Sequence, residues 1–435
     1  MPKKMAIVSS YNELCGNATY TEVLRKEFSK YYEVDVLALR VDLMASKNRE
    51  LHKLASKHIK DLANRLKYYD YVNLQFEAGL YGHFRRDILK RVKILVNACK
   101  NLIFTMHRVD VPEALLDRGN LLSIFAGGFV GFLRQYRQRT YMAKLYPLII
   151  SHLKKRAKKF NIKVIVHTKR EQRNIKDIFG FDQVYDFPIT FLSEDMRNRE
   201  RNDEEISDFK KRYMLERDAI TIGLFGFISE YKGYETAVRA LMFLPERYRI
   251  LVFGTLHPMN IMLNTKVDKY IGSVIDLVEF EDDETDEDAS SKYKILGRKK
   301  PKSRSSIKRD AYKKLSERVI FAGNLDDEKF IDALYCCDFA VLPYLETNQS
   351  GSGIASLVLE SKIKALYSNN KSFFELKKYY PNSFETFDIG NHLELAFKIR
   401  NFTNDYSANI EKALEKYNLE NNVLFQKSLF ESGEV

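Results

Sequence analysis

The chain has 435 residues, of which 45% are hydrophobic and 30% are charged, so it can form two or three folded domains and is not disordered throughout. Its four cysteines lack the spacing of metal or redox motifs, and no apolar segment reaches the ~18–20 residues that cross a bilayer. The formal net charge of +12 comes from the first part of the sequence, since residues 1–200 carry 37 basic and 21 acidic side chains and residues 201–435 carry 34 and 38.

Short β-rich segments alternate with amphipathic helical segments, which is the pattern of parallel βαβ units. The pattern restarts after a polar, charged stretch at 193–217, so we predict two α/β domains in succession. In the first half we predict strands at 5–9, 34–39, 71–75, 102–106, 163–167 and 184–187, and helices at 18–31, 49–67, 85–98 and 169–179. In the second half we predict strands at 220–225, 249–253, 318–322 and 339–342, and helices at 235–244 and 328–333.

Residues 118–170 interrupt this pattern with 13 basic side chains and no acidic one. Within them, residues 121–133 form an apolar run that is followed by Arg134, Arg137 and Arg139. The run suits an element lying among anionic lipid headgroups, with the arginines contacting phosphates. A buried hairpin or core helix covered by basic residues fits equally well. Nucleic acid is not favoured as the partner, because no zinc-finger or RNA-binding signature accompanies the basic residues.

A second interruption, at 279–309, consists of opposed blocks of charge. Eight acidic residues fall within 279–288 and seven basic residues within 298–309. Such a segment buries too little apolar surface to fold by itself, so we predict a mobile insertion.

Two junctions between a strand and a helix carry residues that suit phosphate groups. Gly16 and Asn17 follow the first strand, where a glycine lets the backbone approach a ligand and the helix N-terminus presents N–H groups to an anion. Lys232 stands six residues after Gly226, beyond the strand at 220–225, and can hold a phosphate as a point charge. Each junction alone is also typical of loops that bind nothing.

A third junction lies after the strand at 339–342. Ser350, Gly351, Ser352 and Gly353 precede an apolar helix and can form a series of backbone N–H groups around a diphosphate. Glu360 lies about two turns along that helix, where a carboxylate can accept hydrogen bonds from vicinal hydroxyl groups.

Together these motifs resemble the GT-B glycosyltransferases, specifically the retaining enzymes of family 4. The resemblance extends from the first strand to about residue 399, apart from the two interruptions. It depends most on Gly226-Phe-Ile-x-x-x-Lys-Gly, on Val319-Ile-Phe-Ala-Gly, and on Gln349-Ser-Gly-Ser-Gly followed by Glu360. Leu74-Gln-Phe-Glu and Phe104-Thr-Met-His are similar to family stretches of the first domain. The fold it implies is α/β, with two doubly wound Rossmann-like domains facing across a cleft.

The resemblance also implies roles for individual residues. Lys232 would contact the diphosphate of a nucleotide-sugar donor and Glu360 its ribose, with no metal ion or other cofactor. His107 would border the transferred sugar, and Glu77 would orient the acceptor. The implied catalytic residues are thus Lys232, His107 and Glu77, and the implied donor-binding residues are Gly16, Asn17, Gly226, Phe227, Lys232, Ser350, Gly351, Ser352, Gly353 and Glu360.

The predicted domains follow the same resemblance. Residues 1–190 would form an acceptor-side domain with an apolar and basic insertion at about 112–160. Residues 191–400 would bind the nucleotide sugar and carry the charged insertion at about 279–309. Residues 401–435 would form a helical segment that packs back towards the first domain.

Two departures from the family pattern keep other functions open. Phe227 replaces an arginine that the family usually has, and Ser352 replaces a glutamate. An inactive GT-B partner or scaffold protein therefore stays open, as does a sugar-nucleotide epimerase. We predict a hexosyltransferase that acts on a glycan or a lipid-linked glycan in surface polysaccharide or glycoconjugate synthesis. It would be cytoplasmic and peripheral on the inner face of an anionic membrane, which residues 121–159 would contact.

Overall fold

The computed structural model describes residues 2–13, 15–46, 48–110, 144–256, 268–278, 315–346 and 350–432. They form two compact units, each containing one parallel β-sheet. The first unit comprises Met1–Met196, Gln349–Ser356 and Lys412–Val435, and the second comprises Arg197–Asn348 and Leu357–Glu411.

The first unit contains six strands. They are β1 (Lys4–Ser9), β2 (Glu33–Ala38), β3 (Tyr71–Phe76), β4 (Asn101–Met106), β5 (Asn161–Val166) and β6 (Val184–Asp186). The strands are all parallel and lie in the order β2-β1-β3-β4-β5-β6. Every residue of β3 is buried, as are all but the first residues of β1, β4 and β5. Such continuous burial is typical of parallel strands with helices on both faces.

The second unit repeats this architecture. Its strands are β7 (Ile220–Phe225), β8 (Tyr248–Phe253), β9 (Val319–Gly323), β10 (Phe339–Leu342), β11 (Lys364–Ser368) and β12 (Glu385–Phe387). They are parallel and lie in the order β12-β11-β10-β7-β8-β9. Alternate residues of the central strands, such as Ile222, Leu224 and Val341, pack with apolar helix residues in one core.

Helices connect most of the strands. In chain order they are α1 (Gly16–Phe28), α2 (Val41–Ala45), α3 (Arg49–Leu66), α4 (Ala78–Tyr81), α5 (Arg85–Ala98), α6 (Leu145–Ala157), α7 (Lys169–Asp177), α8 (Glu194–Arg197), α9 (Asp203–Arg212), α10 (Tyr234–Leu241), α11 (Lys269–Val278), α12 (Asp327–Cys336), α13 (Gly353–Glu360), α14 (Lys371–Leu376), α15 (His392–Arg400), α16 (Ser407–Leu414) and α17 (Leu419–Glu431). A 3₁₀ turn, Glu230–Lys232, precedes α10.

Several helices begin where a short polar side chain accepts a hydrogen bond from the backbone of the first turn. Asn48, Thr168 and Asn418 do so for α3, α7 and α17. Such caps satisfy N–H groups that have no partner within the helix and contribute about 1 kcal/mol each. Local sequence therefore sets these helix starts.

The predicted alternation of strands and helices is confirmed. All ten predicted strands are present within two residues of their predicted bounds, and the helix at 85–98 is present without a shift. The polar stretch at 193–217 contains two helices, α8 and α9, which the sequence pattern did not predict. Strands β11 and β12 were not predicted either.

Part of the interruption expected at about 112–160 is a regular element of the first unit. Helix α6 connects β4 with β5 and buries Leu145, Tyr146 and Ile149 in the core. The apolar run at 121–133, with the three arginines after it, and the charged segment at 279–309 lie outside the described residues. The predicted domain limits stay predictions. Within the described ranges, no helix combines the length and the apolar composition needed to cross a bilayer.

Candidate functional site

In an open parallel sheet, ligands bind beyond the carboxyl ends of the strands, where the strand order reverses. In the first unit this point lies between β1 and β3. Gly16 begins α1 just after β1, and Glu77 directly follows β3. The Asn17 side chain joins the two loops, because its Nδ2 donates to Glu77 Oε2 over 2.5 Å. Three predicted site residues of the first unit thus lie together, at the place where such sheets bind ligands.

His107 follows β4, the next strand of the sheet, and its backbone N–H donates to the Phe76 carbonyl over 3.0 Å. Both of its ring nitrogens contact protein groups. Nε2 lies 2.7 Å from Gln75 Oε1, and Nδ1 lies 3.1 Å from Nε2 of His167. His167 was not predicted as a site residue. Its position in the fold could have indicated it. Met106 pairs with Val166 in the sheet, His107 directly follows Met106, and His167 directly follows Val166.

Glu171, on α7, is a buried carboxylate that sequence reasoning also missed. Its Oε1 accepts hydrogen bonds from the Val109 backbone over 3.0 Å and from the Ser350 hydroxyl. Its Oε2 accepts one from the Thr168 hydroxyl over 3.1 Å, while the Glu171 backbone donates to Thr168 Oγ1. Burial raises the pKa of Glu171 to about 7. The sequence Thr168-x-x-Glu171 has the pattern of a capping box, which predicts a helix start here and could have drawn attention to Glu171.

The glycine-rich segment at 350–353 belongs to the first unit. Ser350 is anchored by Glu171, and Ser352 Oγ accepts from the Ala355 backbone over 3.3 Å at the start of α13. Gly353 packs so closely on Phe191 that a Cβ there would lie 2.9 Å from its ring. Gly351 packs beside Ile189, and a Cβ there would lie 3.9 Å from the Cβ of His167. The segment therefore lies beside the histidine pair.

In the second unit the strand order reverses between β7 and β10. Lys232 ends the 3₁₀ turn after β7, and Tyr344 follows β10, so both lie at this reversal. The two loops are held together by a hydrogen bond of 2.8 Å from the Leu345 backbone to the Tyr231 carbonyl. Gly233 is required here, because its φ is +61° and a Cβ would collide with the Pro343 carbonyl oxygen.

The side chain of Lys232 is buried among tyrosines. Only 4% of the residue is exposed, and its Nζ donates to the Tyr344 hydroxyl. Nζ lies 3.9 Å from the centre of the Tyr344 ring and 5.3 Å from that of Tyr231. Among the residues that the structure describes, no carboxylate forms an ion pair with it, and burial lowers its pKa to about 7. An ammonium group in this place has no counter-ion within the described part of the chain, and an anionic ligand would provide one.

The remaining predicted residues of the second unit have well-defined places. Gly226 directly follows β7 with a φ of +97°, and its carbonyl accepts a hydrogen bond from the Tyr234 hydroxyl over 2.9 Å. Phe227, which follows it, is half-buried. Glu360 is the last residue of α13 and is fully buried. Across the described ranges, no three histidine, cysteine or carboxylate side chains are grouped to hold a metal ion.

The predicted site residues therefore form two groups. Gly16, Asn17, Glu77, His107 and the segment at 350–353 belong to the first unit, and Gly226, Phe227, Lys232 and Glu360 belong to the second. In each unit some of them flank the reversal of strand order, between β1 and β3 or between β7 and β10. Each sheet thus presents chemistry-bearing residues at the edge where α/β proteins bind ligands.

No protein-family model matches the chain, and no curated protein sequence does. Solved structures match it over nearly its whole length. HepE from Anabaena, solved in complex with UDP and glucose, has a TM-score of 0.60 at 12% identity, covering 98% of this chain and 99% of that one. Sucrose-phosphate synthase from Thermosynechococcus elongatus has a TM-score of 0.59 at 14% identity, covering 99% and 98%. WaaG, a glycosyltransferase involved in lipopolysaccharide biosynthesis, has a TM-score of 0.54 at 12% identity, covering 99% of each chain. The predicted fold class is confirmed: the chain has the α/β fold of these GT-B proteins, with two parallel six-stranded sheets and flanking helices.

Proposed function

We propose that this protein is a retaining glycosyltransferase of the family 4 type, which transfers a hexosyl unit from a nucleotide diphosphate sugar to a hydroxyl group of a glycan or lipid-linked glycan. The observation that carries the proposal is Lys232. It is a buried amine with no carboxylate partner among the described residues, and it lies where the strand order of the second sheet reverses. A diphosphate is the kind of ligand that would complete this environment.

The proposed chemistry needs no nucleophile from the protein. The bond between the anomeric carbon and the β-phosphate oxygen breaks, and the acceptor oxygen bonds to the anomeric carbon on the same face. The acceptor proton passes to the leaving diphosphate oxygen, so negative charge increases on the diphosphate. Protonated Lys232 and the N-terminal N–H groups of α13 would stabilise that charge. The proposal assigns this task to the protein alone, without a metal ion.

A uridine nucleotide is the first donor to test, because HepE was solved with UDP and glucose. The other proposed roles follow the family resemblance. Glu360 would bind the ribose, Gly16 and the segment at 350–353 the phosphates, and His107 the sugar. Glu77 would orient the acceptor, and its contact with Asn17 supports a place for it at the ligand-binding edge of the first sheet.

The test is a donor panel. The purified full chain is incubated with UDP-glucose and with other nucleotide sugars, with and without candidate glycan acceptors, and the released nucleoside diphosphate is measured. We expect turnover of at least one donor, with the α-configuration of its sugar kept in the product as read by NMR. Lys232→Ala should lower turnover by about 10²–10³-fold, as for the loss of a group that stabilises charge in the transition state.

Lys211→Ala is the matched control, since Lys211 is exposed in the same unit and pairs with Asp208 on the surface. Its turnover should equal that of the unmodified chain. Absence of binding and turnover for every donor, with Lys232→Ala indistinguishable from the unmodified chain, would refute the proposal and leave a non-enzymatic GT-B partner. Conversion of one UDP-sugar into another without transfer would instead indicate an epimerase.

A further inference from the structure

A chain of buried side-chain amides crosses the first unit from the C-terminal helix α17 to His107. Gln426 Nε2 donates to Asn422 Oδ1 over 2.9 Å, and Asn73 Nδ2 donates to Gln426 Oε1 over 2.6 Å. Gln75 Nε2 then donates to Asn73 Oδ1 over 2.5 Å. None of the four amides is more than 1% exposed, so each depends on the next for its hydrogen bonds.

The two ends of the chain have different chemistry. At one end, the Asn422 amide lies 3.1 Å from both the Tyr20 and the Thr190 hydroxyl oxygens, and each hydroxyl can donate or accept. At the other end, Gln75 contacts Nε2 of His107, and the His107–His167 pair follows. His167 Nδ1 lies 3.0 Å from the Phe187 carbonyl oxygen, which can only accept.

These partners determine the number of protons on the histidine pair. His167 Nδ1 must carry one for Phe187. With Gln75 Oε1 facing His107, Nε2 of His107 must carry another. His107 Nδ1 and His167 Nε2, which lie 3.1 Å apart, then both lack a proton, and their lone pairs point at each other. A third proton between these two nitrogens would relieve this repulsion, but it would give the histidine pair one positive charge.

Rotation of all four amides by 180° exchanges their donors and acceptors and removes this conflict. The Gln75 amide then donates to His107 Nε2, and His107 Nδ1–H donates to His167 Nε2. At the far end, the Tyr20 and Thr190 hydroxyls donate to Asn422 Oδ1. Every hydrogen bond is made, and neither histidine is charged.

We propose that the direction of this amide chain and the proton position on His107 are coupled, so that reversing one reverses the other, and that Asn422, Gln426, Asn73 and Gln75 are positioning residues for its ring. With the histidine pair neutral, the chain runs from the hydroxyls to His107, with the proton on Nδ1 and none on Nε2. Protonation of the pair reverses the direction of the whole chain.

The surroundings favour the neutral pair. Burial lowers the pKa of His167 to about 4 and that of His107 well below its usual range. Among the described residues, the groups that contact the rings are uncharged: the Tyr20 ring, 5.6 and 6.0 Å away, the Gln75 amide, the Phe187 carbonyl and the Gly351 segment. The carboxylate of Glu171, on the helix after His167, is bonded to Thr168, Val109 and Ser350.

The proton position itself is independent of the proposed function, whereas its bearing on sugar transfer rests on that function. Both ring nitrogens of His107 contact protein groups. The ring would therefore lie beside the sugar without exchanging a proton with it. We therefore expect no titration of His107 between pH 5.5 and 9.

The test is NMR of the full chain labelled with ¹⁵N-histidine, which distinguishes protonated from unprotonated ring nitrogens. The signal of His107 among the eight histidines is assigned by His107→Gln. At pH 7.5 we expect a protonated Nδ1 and an unprotonated Nε2. Gln426→Glu places a carboxylate in the chain, and an ionised carboxylate can only accept hydrogen bonds. Asn73 must then donate to it and accept from Gln75, which turns Gln75 Oε1 towards His107. We expect Nε2 of His107 to become protonated, although Gln426 contacts neither histidine.

Gln426→Met is the matched variant, because it removes the link without imposing a direction and should leave the proton on Nδ1. Asn97→Asp is a second control, since Asn97 contacts His152 on the surface and should change the signal of His152 alone. A proton on Nε2 of His107 in the unmodified chain would overturn the proposal, and so would a folded Gln426→Glu protein whose His107 keeps its proton on Nδ1. If Gln426→Glu does not fold, the unmodified chain alone decides between the two outcomes.

Discussion

Lys232 is an amine that the fold buries at a cost. Taking a charged ammonium group out of water without a counter-ion is unfavourable, and the protein reduces that cost by lowering the pKa of Lys232 to about 7. Tyr344 offers only a hydroxyl and a ring face to the amine. We therefore expect the unliganded protein to be less stable than a variant with an apolar side chain of similar length, as is common for residues kept for function.

We predict that Lys232→Met stabilises the unliganded protein at pH 7 by a few kcal/mol. Because the pKa falls from 10.5 in the unfolded chain to about 7 in the folded one, the unfolded chain binds the extra proton throughout that window. The stability of the unmodified protein therefore rises with pH from 7 to 10.5, and the advantage of methionine disappears. Urea denaturation at pH 7 and pH 10 measures both effects.

Lys211→Met provides the comparison for this measurement, because Lys211 is exposed and its change should alter stability by less than about 0.5 kcal/mol at either pH. A Lys232→Met protein that is less stable than the unmodified chain at pH 7 would contradict the argument. Loss of donor turnover in a stabilised variant would separate the role of Lys232 in function from its role in folding.

At the scale of elements, the start of α7 joins three parts of the first unit. Thr168 Oγ1 accepts a hydrogen bond from the Glu171 backbone in the first turn of the helix, and the Glu171 carboxylate accepts from the Val109 backbone and the Ser350 hydroxyl. A local helix-start motif thus also anchors the glycine-rich segment, which lies far away in the sequence. Sequence spacing indicates the first role, but only the packing of α7 against the segment at 350–353 creates the second.

We predict that Glu171→Gln increases stability at pH 8 by about 1–3 kcal/mol and changes it little at pH 5. The folded chain keeps the Glu171 proton up to about pH 7, whereas the unfolded chain loses it near pH 4.5. Stability therefore falls as pH rises through that window, and an uncharged amide removes the fall while it still accepts from Val109. Thermal unfolding across pH 4.5 to 8 measures the difference.

Glu27→Gln is the matched substitution in the same unit, because Glu27 is also buried but pairs with Lys30. It should give no gain at pH 8. Glu171→Ala should lower the midpoint at every pH, since it removes the buried acceptor of the Val109 backbone and of the Ser350 hydroxyl. Equal pH dependence in the unmodified chain and in Glu171→Gln would show that the buried carboxylate does not cause the effect.

At the scale of the whole molecule, positive charge is concentrated in residues 1–200. In the described part, α6 shows how this arises: most of its apolar residues are buried in the core and Leu148 is the exception, whereas Lys154, Lys155, Lys158 and Lys159, at and after its end, are exposed. Any membrane contact made by this helix would therefore depend on its lysines and not on its apolar face. The predicted peripheral membrane contact would thus be an attraction between these lysines and anionic lipid headgroups.

We predict that the unmodified chain floats with liposomes that contain anionic lipid and that added salt weakens this binding. Replacing Lys154, Lys155, Lys158 and Lys159 with glutamate should lower the partition coefficient by on the order of a hundredfold or more, at ~1 kcal/mol per basic residue. The same change at four exposed bases of the second unit, Lys211, Arg212, Arg217 and Lys269, alters the net charge equally and should have little effect. Equal recovery with neutral and anionic liposomes would rule the contact out.

The sequence alone determined the alternation of strands and helices, the starts of the six helices that it predicted to within two residues, and the three loops that carry the predicted site residues. It could do so because strand burial, capping and glycine-rich turns depend on residues that are near each other in the chain. The strand order was not readable, since it depends on contacts between segments far apart in sequence. The order places Lys232 beside Tyr344, and Glu77 beside Asn17.

Tertiary structure also decided the electrostatic state of the site. From the sequence, Lys232 is a charged loop residue, and only its burial among tyrosines lowers its pKa to about 7. His167, Glu171 and Gln426 have no distinctive motif of their own, apart from the capping box. Their contacts arise from the pairing of β4 with β5 and from the return of α17 to the first sheet. Burial and long-range hydrogen bonds are properties of the folded chain, because no short segment has them.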